Sequence, residues 1–235
     1  MSSSARAIGS NMARVWYGVP SGRQVEEAQA CFDAWRDMGY AVAATRKEPD
    51  LRVDHMLCLP KYPGLWVGTN ELARAVLAAD PECEIFVTGG DDVYPDQTQR
   101  ADEIADEFIA HFGGTLGVMQ PTGDRLPWSP LHCCWAPWLG REWCRRAFLG
   151  RGPAEPSFWH YYGDYYLRLA AERLGLLWVR PDLTQEHRKW RKVTRRRPEH
   201  LVRSKQMWQT DKDLCHVLVS SGFIGADLLP EDQAA

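Results

Sequence analysis

Hydrophobic and polar positions divide the first half of the chain into short apolar runs and amphipathic segments. Apolar residues recur every three or four positions in three segments, which predicts helices at residues 24–38, 67–79 and 98–112. Short apolar runs predict strands at residues 13–18, 40–45, 55–59, 84–88 and 116–119. Strands that alternate with helices in this order predict an α/β fold with a mostly parallel central sheet flanked by helices.

The second half of the chain is less regular. Residues 120–163 are rich in proline, tryptophan and glycine, and only a short helix at 141–148 is predicted there. A long irregular segment inside a compact domain is more often functional than not. Further along, the pattern predicts a helix at 164–174, a strand at 176–179 and a helix near 212–221. We expect a flexible leader at 1–12, one domain at 13–187, and a basic C-terminal extension at 188–235 packed on that domain.

Composition is that of an ordinary globular protein. Hydrophobic residues make up 45% and charged residues 25% of the 235 residues, and no run of about eighteen apolar residues predicts a membrane-spanning helix. The first residues lack the apolar segment of a signal peptide. The seven cysteines include no C-x-x-C pair, which favours reduced thiols over disulfides or a zinc site. These features predict a cytoplasmic protein, and nothing in the sequence indicates an obligate protein partner.

Charge is distributed unevenly along the chain. The net charge is −3, yet residues 188–205 contain nine basic residues and one acidic residue, a local charge of +8 that leaves −11 for the remainder. Such a stretch suits the phosphate backbone of a nucleic acid. It also suits a nucleotide diphosphate, an anionic membrane surface or a solvent-exposed arm.

Two adjacent carboxylates follow the predicted strand at 84–88. Its apolar run ends in two glycines, and Asp91 and Asp92 come next. Ligands of parallel α/β sheets bind at the carboxyl ends of the strands, and hard divalent cations take oxygen ligands. The segment therefore predicts a metal site, with a surface turn before Pro95 as the alternative.

Five short motifs follow one another along the chain: VPSGR at 19–23, YPGLWVGTN at 62–70, GDDVYPD at 90–96, YGDYYL at 162–167 and DLTQEH at 182–187. The order of these motifs resembles nucleotide-sugar-dependent glycosyltransferases of the GT-A fold, especially the small enzymes of bacteriophages. The resemblance covers about residues 13–190 and implies a single Rossmann-like GT-A catalytic domain. The family's Asp-x-Asp motif is incomplete because Gly90 stands at its first position, so the roles of Asp91 and Asp92 remain open between metal and ribose.

The resemblance assigns the catalytic and metal-binding roles. It makes Asp92 the direct ligand of Mn²⁺ or Mg²⁺, with His187 as the second protein ligand and Asp91 orienting the metal's water shell or the ribose. Such a cation stabilises the charge that gathers on a departing diphosphate. Asp164 is the candidate general base for an inverting transfer, or else a helix N-cap.

Further residues are expected to contact the two substrates. The nucleotide-sugar contacts are expected at Ser21, Arg23, Asn70, Asp91 and Asp124. The acceptor contacts are expected at Trp138, Trp159, His160, Arg188, Arg191 and Arg195. Asn70 has a helix-interior hydrogen-bonding role as its alternative, and each tryptophan has core packing as its alternative.

The function implied is metal-dependent transfer of a sugar from a nucleotide sugar, with a UDP-sugar expected first, to a hydroxyl acceptor. The phage-type resemblance and the basic stretch point to a 5-hydroxymethyl-pyrimidine in DNA, flipped out of the duplex, in the host cytoplasm. Other acceptors, namely a saccharide, a lipid or a protein, remain open. So do two other classes, a nucleotidyltransferase and a non-catalytic nucleic-acid-binding protein.

Overall fold

A computed structural model describes residues 13–123, 132–188 and 199–234. Among these residues one seven-stranded sheet dominates, with the strand order β3-β2-β1-β4-β7-β6-β8. Its strands are β1 (Val15–Pro20), β2 (Ala41–Arg46), β3 (His55–Cys58), β4 (Ile85–Val87), β6 (Val118–Pro121), β7 (Trp138–Gly140) and β8 (Leu177–Arg180). A separate two-stranded sheet pairs β5 (Val93–Tyr94) with β9 (Glu186–His187). Strand β7 runs antiparallel to both of its neighbours, and the other pairings of the large sheet are parallel.

Six α-helices accompany these strands in the described part of the chain. They are α1 (Val25–Asp37), α2 (Leu65–Ala79), α3 (Ala101–Phe112), α4 (Arg141–Gly150), α5 (Gly163–Arg173) and α6 (Glu199–Ser220). Helix α4 is interrupted at residues 147–149, where the backbone leaves the helical region. No helix among the described residues is both long and apolar enough to cross a membrane.

Both faces of the sheet are buried. Along β1, Tyr17 and Val19 face one core, which also contains residues of α1 and α3, whereas Trp16 faces a second core shared with α2, α4 and α5. Side chains alternate between the faces of a strand, so a strand covered on both sides needs apolar residues at nearly every position. This explains why the central strands are continuous apolar runs rather than alternating patterns.

The predicted fold class is confirmed: the chain is α/β with a mostly parallel central sheet flanked by helices. Strands β5, β7 and β9 are not among the predicted elements, and helix α6 is longer than predicted. Strand β7 lies within the segment predicted to be irregular, because its three residues pair between β4 and β6, and such non-local pairing leaves no local periodicity. Helix α6 begins at Glu199 rather than near residue 212, since its first turns are too polar to show an apolar stripe.

Candidate functional site

Strand β4 ends in a tight turn that presents two carboxylates. The N–H of Val93 donates to the carbonyl of Gly90 at 3.0 Å, and the Tyr17 hydroxyl donates to the same carbonyl at 2.6 Å. A Cβ at position 90 would lie 2.6 Å from Oδ1 of Asp92, so glycine leaves the space that the Asp92 carboxylate uses. The turn therefore places Asp91 and Asp92 at the carboxyl end of the central sheet.

Asp91 anchors the loop between β1 and α1. Its Oδ2 accepts hydrogen bonds from the Ser21 hydroxyl at 2.9 Å, from the Gly22 N–H at 2.9 Å and from the Arg23 N–H at 3.0 Å. One oxygen of Asp91 is thus committed to the loop, and its Oδ1 lies 3.2 Å from Nε of Arg23. Its predicted role toward metal or ribose stays a prediction.

Asp92 faces two basic side chains. Its Oδ2 accepts a hydrogen bond from Nη2 of Arg23 and lies 3.2 Å from Nε2 of His187. Burial alone would raise the pKa of this carboxyl, but His187 and Arg23 outweigh burial and hold the pKa below its usual value. Asp92 is therefore a firmly ionised carboxylate at neutral pH.

The small second sheet brings His187 to this carboxylate. Val93 pairs with His187 in the β5–β9 ladder, and the N–H of Arg188 donates to the Asp92 carbonyl at 2.8 Å. The indole of Trp135 stacks on the His187 ring, with centroids 5.2 Å apart. A residue 95 positions further along the chain than Asp92 is thus fixed beside it by backbone pairing and ring packing.

An open cavity of about 390 Å³ lies over this group. It is lined by Arg23, Glu26, Glu27, Ala30, Asp91, Asp92, Tyr94 and Arg188. The Arg188 guanidinium sits over the Tyr94 ring at 3.7 Å from its centroid. The cavity lining therefore combines four carboxylates with two arginines, a composition that suits an anionic ligand bound together with a cation.

Asp164 lies in the first turn of α5. The helix N-cap is Tyr162, so the alternative N-cap role for Asp164 is wrong. The carboxylate accepts the Tyr165 N–H at 2.9 Å and hydrogen-bonds the Cys133 thiol. Burial raises the pKa of Asp164, and these hydrogen bonds only partly offset it. A carboxylate with a raised pKa is a stronger base, as general-base chemistry requires.

Residues 133–135 connect Asp164 with the Asp92 group. The Cys133 thiol forms a hydrogen bond with the Asp164 carboxyl, and the Cys134 N–H donates to the Asp164 carbonyl at 3.0 Å. The next residue, Trp135, stacks on His187. Burial and the neighbouring Asp164 carboxylate raise the pKa of the Cys133 thiol, so that its S–H remains available to donate. The two parts of the site thus share one supporting segment.

The predicted acceptor residues divide into two groups. Trp159 is partly buried, with the Arg203 guanidinium 4.4 Å from its ring centroid and the Tyr62 ring in edge contact at 5.9 Å. His160 follows it and is also partly buried. Trp138, by contrast, is 1% exposed and packs in the core against Tyr40, so its predicted role in acceptor binding is wrong.

The predicted role of Asn70 in donor binding is also wrong. Asn70 is 2% exposed, and its amide donates to the carbonyls of Arg151 and Ala154 and accepts the Ala154 N–H. This is the alternative role within the helix interior, because Asn70 fastens α2 to the segment after α4. Asp124, Arg191 and Arg195 lie outside the described residues.

Two residues that support the candidate site, Asp211 and Cys133, are not identified by any sequence pattern. The Asp211 carboxylate on α6 is 1% exposed and accepts the N–H groups of Trp159, His160 and Tyr161 at 2.9, 3.0 and 2.9 Å. For Cys133 the sequence predicts only one of seven reduced thiols. Both act through contacts between segments distant in sequence, which no local pattern reveals.

The donor set of the site fits a divalent cation only in part. Asp92 and His187 offer a carboxylate oxygen and an imidazole nitrogen 3.2 Å apart; carboxylate suits Mg²⁺ and Mn²⁺, and imidazole is a common ligand of other divalent transition metals. Among the described residues no group of three or more His, Cys, Asp or Glu side chains could hold a metal ion. A metal here would therefore take its other ligands from substrate oxygens and water, as Mg²⁺ commonly does.

Comparison with known proteins finds similar structures but no similar sequences. No protein-family model matches the chain, and no curated protein matches it in sequence. A glycosyltransferase involved in glycosylation of the major capsid of PBCV-1 is 13% identical with a TM-score of 0.36, over 55% of this chain and 60% of that one. The protein A197 from STIV is 15% identical with a TM-score of 0.41, over 80% of this chain and all of that one.

The mannosyltransferase PcManGT from Pyrobaculum calidifontis, solved with GDP-Man and Mn²⁺, is structurally more similar than these two. It is 13% identical and has a TM-score of 0.53, over 92% of this chain and 74% of that one. The chain spans three fifths of the PBCV-1 enzyme and about three quarters of the mannosyltransferase. At this similarity the shared feature is architecture, and the chain has a glycosyltransferase-like fold.

Proposed function

We propose that the protein is a divalent-metal-dependent glycosyltransferase that moves a sugar from a nucleotide sugar to an acceptor hydroxyl. The observation that carries the proposal is the meeting of Asp92, His187 and Arg23 at an open cavity, where the carboxyl ends of β1 and β4 lie side by side. Substrates of parallel α/β sheets bind at this edge. The likeness in fold to a mannosyltransferase that binds GDP-Man and Mn²⁺ supports the same reaction class.

Asp92 and His187 are the residues that would hold Mn²⁺ or Mg²⁺. Such an ion stabilises the negative charge that develops on a departing diphosphate. Arg23 and Arg188 line the same cavity and supply charge-assisted hydrogen bonds to phosphate oxygens, for which the planar guanidinium is well suited. Ser21 has its hydroxyl committed to Asp91, so its part in donor binding is to hold the loop that carries Arg23.

Asp164 is the proposed general base. Its carboxylate removes the proton of the acceptor hydroxyl while the new bond from that oxygen to the anomeric carbon forms and the bond to the diphosphate breaks. Direct displacement of this kind inverts the anomeric configuration. The raised pKa of Asp164 and its place at the start of α5 support this role. The Cys133 thiol holds the carboxylate in position.

For the acceptor, we propose a 5-hydroxymethyl-pyrimidine in DNA. The support is the charge of +8 over residues 188–205, together with the described arginines at its two ends. Arg188 lines the cavity, and Arg203 covers Trp159. An aromatic ring next to cationic side chains suits a flipped base and the phosphates around it.

The test is release of a nucleoside diphosphate from a panel of UDP-, GDP- and dTDP-sugars, with Mn²⁺ and with or without hydroxymethylated DNA. We expect metal-dependent release from one donor, reduced at least about 100-fold by Asp92→Asn. The matched control is Asp102→Asn, an exposed carboxylate of α3, which should behave as wild type. No release from any donor would overturn the proposal, and release of pyrophosphate in a parallel assay with nucleoside triphosphates and a sugar 1-phosphate would indicate a nucleotidyltransferase. A mass gain on hydroxymethylated but not unmodified DNA would identify the acceptor.

A further inference from the structure

Arg23 is the cation that the structure places on Asp92. Its Nη2 donates to Oδ2 of Asp92, its Nε lies 3.2 Å from Oδ1 of Asp91, and its Nη1 lies 3.6 Å from Oε2 of Glu27. The same Asp92 oxygen lies 3.2 Å from Nε2 of His187. The guanidinium therefore occupies the oxygen that the proposed metal would have to share with His187.

Two cations compete for this oxygen. An arginine stays charged at all relevant pH values, and like charges a few ångströms apart repel strongly where water is partly excluded. The Arg23 side chain is 19% exposed and that of Asp92 is 15% exposed, so solvent screens this repulsion only in part. The guanidinium therefore opposes binding of a divalent cation at Asp92, and its departure favours that binding.

The Arg23 guanidinium can move away from Asp92 without a change in the backbone of the loop. Its backbone is fixed, because its N–H donates to Asp91 and its carbonyl accepts Nη1 of Arg46 at 2.9 Å. Its Nε is buried and lies 3.2 Å from Oδ1 of Asp91, yet it forms no well-aligned hydrogen bond there, so the guanidinium is incompletely satisfied where it lies. Only the side-chain torsions need to change, and the open cavity beside the guanidinium provides the space.

We propose that Arg23 is an exchangeable counter-ion, which excludes the divalent cation from Asp92 until a nucleoside diphosphate draws the guanidinium onto its phosphates. The inference rests on the proposed function, since it assigns a loading order to the same site. A diphosphate offers Arg23 bidentate acceptors, which give Nε the hydrogen bond that it does not form with Asp91. Release of Asp92 then makes the cation and the nucleotide bind together, with positive coupling in both directions.

The test measures Mn²⁺ binding from the free-ion signal in electron paramagnetic resonance, with no turnover required. Wild type, Arg23→Gln and Arg52→Gln are titrated with Mn²⁺ alone and again with saturating UDP or GDP. The control Arg52 is 80% exposed at its side chain and pairs with Asp33 rather than Asp92, so Arg52→Gln removes the same charge without vacating the site. Thermal melting confirms that each variant is folded.

We expect nucleoside diphosphate to tighten Mn²⁺ binding to wild type at least about tenfold. Arg23→Gln should bind Mn²⁺ alone at least about tenfold more tightly than wild type, with most of the nucleotide enhancement lost, and Arg52→Gln should match wild type. The proposal is overturned if Arg23→Gln gains no affinity for Mn²⁺, or if Arg52→Gln gains as much. Nucleotide-independent binding in wild type that Asp92→Asn abolishes would refute the exchange yet leave the metal site standing. Absence of Mn²⁺ binding under every condition would refute both.

Discussion

The carboxylate of Asp211 offers a sharp test of how α6 supports the site. It is buried and accepts three backbone N–H groups from consecutive residues, namely Trp159, His160 and Tyr161. Replacement by alanine would leave all three donors without their partner. These residues lead directly into the start of α5, where Asp164 lies. The substitution should therefore affect stability and catalytic geometry together.

The magnitude follows from the three bonds. A hydrogen bond to a charged group contributes about 1.5–3 kcal/mol, and water reaching part of the opened space recovers some of this. We expect Asp211→Ala to lower the free energy of unfolding by about 3–5 kcal/mol, a large effect for one side chain. Asp211→Asn should lose less, because its single carbonyl oxygen can replace Oδ2, which serves two of the three donors. Its amide would then face the Trp159 N–H, which the Asp211 Oδ1 serves.

Urea unfolding followed by circular dichroism measures this loss, with an unchanged m-value as the sign that only stability has changed. The matched control is Asp213→Ala on the same helix. Asp213 is exposed, and its carboxylate accepts a hydrogen bond from the exposed Gln209 side chain at 2.7 Å. That variant should change stability by no more than about 0.5 kcal/mol. If Asp211→Ala costs no more than Asp213→Ala, the three bonds do not hold the loop and the reasoning fails.

Three further predictions concern the site itself. Asp91→Ala should lower stability by about 2–3 kcal/mol in urea, because its Oδ2 holds three donors of the loop before α1; wild-type stability would contradict this role. Burial raises the pKa of Asp164, so its ionisation costs no stability below its usual pKa, an increasing amount as the pH rises to the raised pKa, and a constant amount above it. Asp164→Asn should therefore be at least as stable as wild type at neutral pH while losing transfer, and wild-type activity should fall as the pH drops through the raised pKa. Destabilisation in Asp164→Asn would oppose this account. Gly163→Ala should lower stability by about 1–3 kcal/mol, because its Cβ would lie 2.2 Å from Nε1 of Trp66; an unchanged melting temperature would show that the ring yields freely.

The sequence predicts the parallel strands of the sheet well and the antiparallel strand β7 poorly. Strands β1, β2, β3, β4 and β6 are apolar runs separated by amphipathic helices, so period and order suffice to place them. Strand β7 has three residues and pairs with two strands that come earlier in the chain. Strand β4 lies more than fifty positions before it, and strand β6 lies about twenty positions before it. Its position in the sheet follows from tertiary pairing, which local patterns do not contain.

The site shows the same division between local and distant information. The carboxyl-end rule predicts that Asp92 lies at a functional edge, and the resemblance adds His187, which the structure places 3.2 Å away. Asn70 and Trp138 are assigned wrongly because residue type alone does not reveal that they are 2% and 1% exposed. Asp211 escapes notice because an acidic residue on a polar helix is ordinarily solvated, and only packing against residues 159–161 buries it.

The adjacent carboxylates show why a motif does not assign roles to its members. Asp91 and Asp92 occupy the same turn, yet Asp91 turns to the loop at residues 21–23 and Asp92 turns to His187. The contact with Asp91 fixes the position of the Arg23 backbone, and the contact with Asp92 fixes the position of the Arg23 guanidinium in this structure. In the proposed exchange, the hydrogen bonds from the loop backbone to Asp91 stay in place while the guanidinium leaves both carboxylates for a phosphate.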